Sequence, residues 1–239
     1  SPLIQLDRAF DYLIPEALQN EIAIGQEVVF PLGRSKKSQV GYVSALSDSS
    51  DYATAAITSI QDASEVLSSQ LIDFLRAVAD RQCVALGELI ALAVPDYMST
   101  VQRLPAIEPR VLKVDILVPK LDAALGARAT ILTSARQLEV AGSLVPDWAL
   151  LLLANAIGVH SRGMSSIIVV PERADIDIVV DLSHKLGIDD QFVFLKPSQK
   201  KSSRYQLFHQ IKESRQIIVV GTRSSIFAPV QNLGLIAVH

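Results

Sequence analysis

Apolar residues in the first hundred positions form short runs, rich in β-branched and aromatic side chains, that polar loops separate. Runs of this kind are typical of short strands. They predict strands at residues 27–32, 40–46 and 57–60. Apolar side chains then recur at helical spacing, which predicts helices at residues 68–82 and 85–94, the second ended by Pro95. The pattern therefore indicates a small β-rich domain with two helices.

From residue 129 the apolar runs alternate with amphipathic segments. They predict five strands, at residues 129–133, 166–170, 191–195, 216–220 and 234–238. Between them they predict three helices, at residues 147–158, 174–186 and 203–212. We expect Asp147 to cap the first of these helices and Gly187 to end the second. Because the strands are continuous apolar runs, helices should cover both faces of a mostly parallel sheet, as in doubly wound α/β domains.

Prolines interrupt the region between these two patterns, at positions 105, 109 and 119. Proline breaks regular structure, so we interpret residues 104–128 as a linker or irregular region with at most an isolated strand at 115–118. The chain then divides into a domain of residues 1–103, this linker, and an α/β domain of residues 129–239.

Charge differs between the two halves of the chain. Residues 1–103 carry 7 Lys or Arg against 13 Asp or Glu, a net charge of −6, whereas residues 104–239 have a net charge of +3. The acidic half argues against extensive phosphate-backbone binding there, although a small pocket for one nucleotide remains compatible with it. The single cysteine, Cys83, excludes an internal disulfide or cysteine-based zinc site and favours a cytoplasmic location. The longest apolar run, residues 148–159, is shorter than the roughly 20 residues of a membrane span, so we expect no membrane contact.

Several ordered motifs carry a resemblance to a known family. The sequences are LDRAFDYLIP at residues 6–15, GQEVVFPLG at 25–33, VGYV at 40–43, GTRSSIFAP at 221–229 and NLGLIAVH at 232–239. In this order they resemble the primosomal protein N′ (PriA, replication restart protein) family. The resemblance covers residues 3–98 and 166–238 well and residues 99–165 poorly.

The resemblance implies a barrel-like N-terminal domain that binds DNA 3′ ends, with Phe10, Asp11 and Gly33 in a terminal-nucleotide pocket. An aromatic ring can stack on a base, a carboxylate can accept a hydrogen bond from a free 3′-hydroxyl, and a glycine lets backbone approach the sugar. The family usually adds a lysine where this chain has Ala55. The alternative interpretation is structural: Phe10 as a core aromatic, Asp11 as a turn or cap residue, and Gly33 as a hairpin residue.

The resemblance also implies a RecA-like helicase lobe in residues 129–239, here partial and degenerate. ATP hydrolysis needs a phosphate loop of the form Gly-x-x-x-x-Gly-Lys-Ser/Thr, but residues 134–143 lack the Gly-Lys pair. His239 stands where the family has the acid that binds Mg²⁺, and neutral histidine is a poor Mg²⁺ ligand. We therefore expect no catalytic residue and no bound cofactor or metal in this chain. The zinc cysteines of the family are absent, so we expect a longer natural chain.

A basic stretch offers candidate DNA contacts in the second half. It comprises Lys196, Lys200 and Lys201, to which Arg223 is added from the GTRSSIFAP motif. Lysine and arginine at such positions can bind DNA phosphates. The alternative is that they form a solvated loop and an interface charge.

The predicted function is that of a replication restart protein that recognises 3′ ends at stalled or branched forks. It would recruit primosome and helicase-loading proteins as a scaffold without helicase activity, so the chain is not expected to be an enzyme. One alternative is an active ATP-dependent 3′–5′ DNA helicase whose motifs lie in residues missing from this sequence. Another is a protein-interaction module that does not bind DNA, which the acidic first half would favour.

Overall fold

The computed structural model describes residues 8–33, 36–114, 126–133 and 135–239. The chain forms two compact units, Ser1–Tyr97 and Met98–His239. The predicted isolated strand at 115–118 lies outside the described residues. No helix within the described ranges is both long enough and apolar enough to cross a membrane.

The first unit contains a three-stranded antiparallel sheet followed by two helices. Its elements are β1 Glu27–Leu32, β2 Lys37–Tyr42, β3 Ser59–Asp62, α1 Ser69–Gln82 and α2 Leu86–Ala93, after a short 3₁₀ helix at Glu16–Leu18. The strand order is β2-β1-β3, so β1 is central. The two predicted helices and the strand at 27–32 are confirmed, whereas β2 lies three to four residues earlier than the predicted 40–46 and β3 two residues later than the predicted 57–60. The barrel-like closure of this sheet stays a prediction.

Local chemistry explains where α1 begins and how it packs. The Ser68 hydroxyl accepts a hydrogen bond from the backbone N–H of Leu71 at 3.2 Å, which is the preferred role of serine at a helix N-cap. Leu75 and Ala79 are buried on one face of the helix. Val28 of β1 packs with Val43 and Ile57 in an apolar cluster of this unit.

The second unit contains a four-stranded parallel sheet with helices on both faces. Its elements are β4 Gln137–Val140, β5 Ser143–Pro146, α3 Asp147–His160, β6 Ser165–Val169, α4 Arg173–Lys185, β7 Phe192–Leu195, α5 Lys201–Glu213, β8 Ile218–Gly221 and β9 Leu233–Val238. The sheet order is β7-β8-β6-β9, and all three pairings are parallel.

Alternate residues of the buried strand β6 explain how the sheet is covered. Ile168 belongs to the apolar cluster that includes α3 and α4, whereas Ile167 and Val169 belong to the cluster that includes Ile211 of α5. Because successive side chains of a strand point to opposite faces, α3 and α4 cover one face and α5 covers the other. The predicted α/β architecture with a parallel sheet is thereby confirmed.

The predicted strand at residues 129–133 is wrong. These residues lie in no strand and are exposed, and Leu132 is 95% exposed. The hairpin β4–β5 forms instead from residues that we had expected to be a loop. Its two turn residues, Ala141 and Gly142, have φ of 50° and 74°, as a two-residue type I′ turn requires. Alanine gives no turn signal in sequence, which is why the hairpin was missed.

Of the two predicted helix ends in this unit, the one at Gly187 is confirmed and the cap at Asp147 is wrong. Gly187 follows the last residues of α4 with φ of 65°, so it ends the helix as expected. Asp147 is not the N-cap of α3, because Pro146 occupies that position and Asp147 is the first helical residue.

The start of the predicted linker, and residue 102 just before it, are hydrogen-bonded to the α/β part of the second unit. The side-chain amides of Gln191, Gln206 and Gln210 donate hydrogen bonds to the backbone carbonyls of residues 108, 102 and 105. Leu112 is 8% exposed and belongs to an apolar cluster of this unit. The linker from 104 to 128 as a whole stays a prediction, since residues 115–125 are outside the described ranges.

Candidate functional site

The segment around Phe10 and Asp11 is fixed by its two following residues. The Leu13 amide donates to the Ala55 carbonyl at 2.8 Å, and the Ile57 amide donates to the Leu13 carbonyl at 3.1 Å. The Tyr12 hydroxyl donates to the Pro31 carbonyl at 3.0 Å, which ties the segment to β1. Burial raises the pKa of the Tyr12 phenol, so this hydroxyl keeps its proton at neutral pH. Sequence reasoning missed this anchoring role of Tyr12.

A glycine in β2 makes room for this anchor. The Tyr12 ring packs against the Phe30 ring, with 4.8 Å between their centroids. A Cβ atom at Gly41 would lie 2.6 Å from the Phe30 ring, a distance at which one of them must move. Gly41 thus lets Phe30 lie across β2 and support Tyr12.

Phe10 is placed at the surface of the first unit. The residue is 39% exposed and does not belong to the buried core. The Arg8 guanidinium lies 5.2 Å from its ring centroid, within the range of a cation–π contact. Phe10 therefore offers partly accessible aromatic surface, which the core interpretation did not anticipate.

Asp11 is also exposed, and its carboxylate is held by a distant loop. The Ser50 hydroxyl donates to Asp11 Oδ2 at 2.5 Å and accepts a hydrogen bond from the Tyr52 amide at 3.1 Å. Since Ser50 donates to one carboxylate oxygen, the carboxylate keeps further acceptor capacity. Ser50 lies 39 residues away in sequence, so no local signal could reveal this contact.

Gly33 directly follows β1 and has φ of 70°, a conformation that favours glycine. Its carbonyl accepts a hydrogen bond from the Lys36 amide at 3.2 Å. A Cβ atom placed there would meet no atom of the described residues within 4 Å. The bond between Tyr12 and Pro31 places the segment of Phe10 and Asp11 alongside the strand that Gly33 ends.

The carboxyl edge of the parallel sheet is the second candidate region. Leu195 and Val169 both pair with Gly221, and Val169 also pairs with Val238, so these strands end together. Open α/β sheets bind ligands at this edge. Lys196, Arg223 and His239 lie at or just beyond this edge, where β7, β8 and β9 end.

The basic residues at this edge differ in their exposure and position. Lys196 Nζ lies 2.7 Å from Asp177 Oδ1, and this hydrogen bond lowers the pKa of the Asp177 carboxyl. Lys200 is the N-cap residue of α5 and Lys201 is its first residue, and both are exposed. Arg223 begins the 3₁₀ helix Arg223–Phe227 and is exposed.

At the start of α3, side chains of the chain interact with one another. Arg136 Nε donates to Asp147 Oδ2 at 3.1 Å, and Asp147 is 8% exposed. Trp148 stacks on His239, with 4.2 Å between ring centroids and 11° between ring planes. A carboxylate in the first turn of a helix is favoured by the helix dipole, and Asp147 is the first residue of α3.

The first unit carries the match to a known family. Residues 2–95 match the family model of the PriA 3′ DNA-binding domain (3′BD). The chain is also similar over most of its length to three curated proteins of different bacteria. The "probable replication restart protein PriA" of Mycobacterium tuberculosis is 26% identical over 240 residues, which are 98% of this chain and 36% of that protein. The "replication restart protein PriA" of Treponema pallidum is 27% identical over 98% of this chain and 36% of its own length, and that of Rickettsia conorii is 24% identical over 95% and 34%.

The first unit matches the PriA 3′ DNA-binding domain, and the chain as a whole is similar to PriA proteins. It spans about a third of the length of the curated PriA proteins that it matches. Phe10, Asp11, Gly33 and Ser50 all lie within the matched 3′ DNA-binding domain. The α/β unit is covered only by the similarity to the longer PriA proteins.

Proposed function

We propose that this protein acts in replication restart and that its first unit binds the 3′-hydroxyl end of a DNA strand at a branched or stalled fork. The observation that carries the proposal is the exposure of the consecutive residues Phe10 and Asp11, with the Asp11 carboxylate held by Ser50, inside a region that matches a 3′ DNA-binding domain.

The chemistry of this pair suits a strand end. A 3′-hydroxyl is a hydrogen-bond donor, and a carboxylate is an acceptor that binds a donor more strongly than a neutral oxygen does. A terminal 3′-phosphate has no such donor when ionised and is repelled by the carboxylate. The Phe10 ring supplies a stacking face for the terminal base, and Gly33, which has no side chain, lets the sugar approach the backbone.

Fluorescence anisotropy on forked DNA tests the proposal. We expect tighter binding to a fork with a 3′-hydroxyl end than to the same fork with a 3′-phosphate. Phe10→Ala should weaken binding to the hydroxyl end by about fivefold or more, since base–aromatic stacking contributes about 1–3 kcal/mol. Equal binding of the wild-type protein to both ends would overturn the proposal.

We further propose that the α/β unit is a RecA-like lobe that does not hydrolyse ATP. The parallel sheet with helices on both faces supports the fold assignment. The residues present do not fit bound triphosphate and Mg²⁺. A hairpin turn stands in place of the Gly-rich loop, Asp147 occupies the start of α3, and His239 is stacked on Trp148 where an acid would be needed. DNA-stimulated ATP turnover by the intact protein would contradict this.

In this proposal the α/β unit supports binding without unwinding. Lys200, Lys201 and Arg223 are exposed at or near the carboxyl edge and are candidate phosphate contacts, as is Lys196 with its charge shared with Asp177. The protein would then hold a fork while primosome and helicase-loading proteins assemble. Co-sedimentation of those proteins with fork-bound protein, compared with DNA alone, tests the scaffold role.

A further inference from the structure

The loop at residues 47–52 presents an aromatic ring next to the proposed 3′-end site. Tyr52 is 83% exposed, more than any other large apolar or aromatic side chain described in the first unit. The loop around it is otherwise built of serines, Asp48 and Asp51. Exposing a large aromatic ring on a polar loop has no evident packing benefit, whereas such rings are the side chains on which bases stack.

The loop is fixed in position relative to Asp11. The Ser50 hydroxyl donates to Asp11 Oδ2 and accepts from the Tyr52 amide, with distances of 2.5 and 3.1 Å. The Tyr52 amide therefore lies within about 6 Å of the Asp11 carboxylate, the length of two hydrogen bonds in series. A tyrosine ring extends far enough from its own amide to reach a nucleotide whose 3′-hydroxyl is bound at Asp11.

A second aromatic ring would supply stacking surface that Phe10 alone cannot offer. Arg8 lies over the Phe10 ring at 5.2 Å from its centroid, so a cation already takes one face of that ring. Phe10 alone thus offers about one face to one base. A single-stranded 3′ end has at least two bases near its terminus, and tyrosine adds aromatic area at a low cost in side-chain entropy.

We propose that Tyr52 is a second base-stacking residue of the 3′-end site and that Ser50 is the positioning residue that holds Asp11 and the Tyr52 backbone together. The ligand is the single-stranded 3′-terminal dinucleotide of DNA. This inference rests on the proposed function, since it assigns further residues to the same site.

Oligonucleotides with 2-aminopurine at the last or the penultimate position test the stacking role in the whole chain, because stacking quenches 2-aminopurine fluorescence. Tyr52→Ala should weaken binding about fivefold and remove quenching at one of the two positions, consistent with the low end of base–aromatic stacking. Tyr52→Phe should keep both. Phe74→Ala is the matched control, because Phe74 is a 40%-exposed aromatic on α1, and it should change neither readout.

The positioning role of Ser50 has its own readout. Ser50→Ala should lower the preference for a 3′-hydroxyl over a 3′-phosphate about threefold or more, as expected from loss of a hydrogen bond to a charged group. Ser50→Thr retains the hydroxyl and should restore the preference.

The outcomes separate the two proposals. If the wild-type protein prefers the 3′-hydroxyl end but Tyr52→Ala binds and quenches as wild type, the inference fails and the proposed function stands. If the wild-type protein shows no preference, both fail. An equal loss for Tyr52→Ala and Phe74→Ala would also overturn the stacking role.

Discussion

The two candidate regions of this protein use similar side chains in opposite ways. In the first unit, Phe10 and Asp11 are consecutive exposed residues, and a serine orients the Asp11 carboxylate while leaving it acceptor capacity. In the second unit, the corresponding groups satisfy each other, because Asp147 is paired with Arg136 and Trp148 is stacked on His239.

This difference determines how much each region must rearrange to bind a ligand. Polar groups that are oriented but incompletely satisfied can bind a ligand with little rearrangement. Groups that already pair with each other must first separate, at the cost of their own interactions. By this argument Asp11 needs little rearrangement to accept a hydrogen bond from a ligand, whereas Asp147 and Arg136 would first have to separate.

The largest expected effect comes from replacing the exposed carboxylate of Asp11. Asp11→Asn keeps the shape of the side chain but removes the charge, and hydrogen bonds to charged groups are roughly twice as strong as neutral ones. We expect the preference for 3′-hydroxyl over 3′-phosphate ends to fall about tenfold in anisotropy titrations, because the repulsion of the phosphate is also lost.

Asp48→Asn is the matched control for this change. Asp48 is an exposed carboxylate in the loop 47–52 and alters the net charge by the same amount. An equal fall in preference for both variants would show that net charge, and not the geometry of Asp11, sets the selectivity. The contrast between the two units would then lose its basis.

The packing of Phe30 against Tyr12, which anchors the segment of Phe10 and Asp11, should be sensitive to one added methyl group. Gly41→Ala would place Cβ at 2.6 Å from the Phe30 ring, and the shift of Phe30 would disturb the packing of Tyr12. We expect a loss of about 1–3 kcal/mol in the free energy that protects β1 amides from hydrogen exchange, as for other overpacked sites. Gly33→Ala is the comparison variant. Its methyl group would contact no described atom, so its cost should come only from the strain of the positive φ.

These observations also show which features a sequence can predict. The bounds of β1, the start of α1 after Ser68 and the four strands of the parallel sheet follow from patterns within a few residues, so they were predicted. The contact between Ser50 and Asp11 joins positions that are far apart in the chain. Tertiary packing alone brings such residues together, so the details of the site could not be predicted.

A third carboxylate, Glu27, differs from Asp11 and Asp147 because it is buried at 4% exposure in β1. Burial, with the nearby charges of Asp62 and Asp96, raises the pKa of Glu27 to about 7 from 4.5. The folded state therefore holds the proton more tightly than the unfolded state. Its contribution to stability is fully present below about pH 4.5 and is lost as the pH rises through 7.

Hydrogen exchange of β1 amides at pH 5 and pH 8, corrected for intrinsic rates, measures this contribution. We expect Glu27→Gln to lose less protection than the wild type between the two pH values, since glutamine has no proton to lose. If the wild type and Glu27→Gln lose the same protection between pH 5 and pH 8, Glu27 is ionised in the folded state at both pH values.

The smallest expected effect lies at the start of α3, where the pairing of Arg136 with Asp147 can be broken from its exposed side. Arg136→Gln should lower the free energy of unfolding of the α/β unit by about 1 kcal/mol, because the pair is only partly buried. Trp148, the only tryptophan, lies one residue from Asp147 and reports the transition by its fluorescence. Arg223→Gln removes an exposed arginine of the same unit and should leave this free energy unchanged within about 0.5 kcal/mol. Tight ATP binding by the Arg136 variant, or an increase in stability on adding ATP to the wild type, would show that the start of α3 is a ligand site after all.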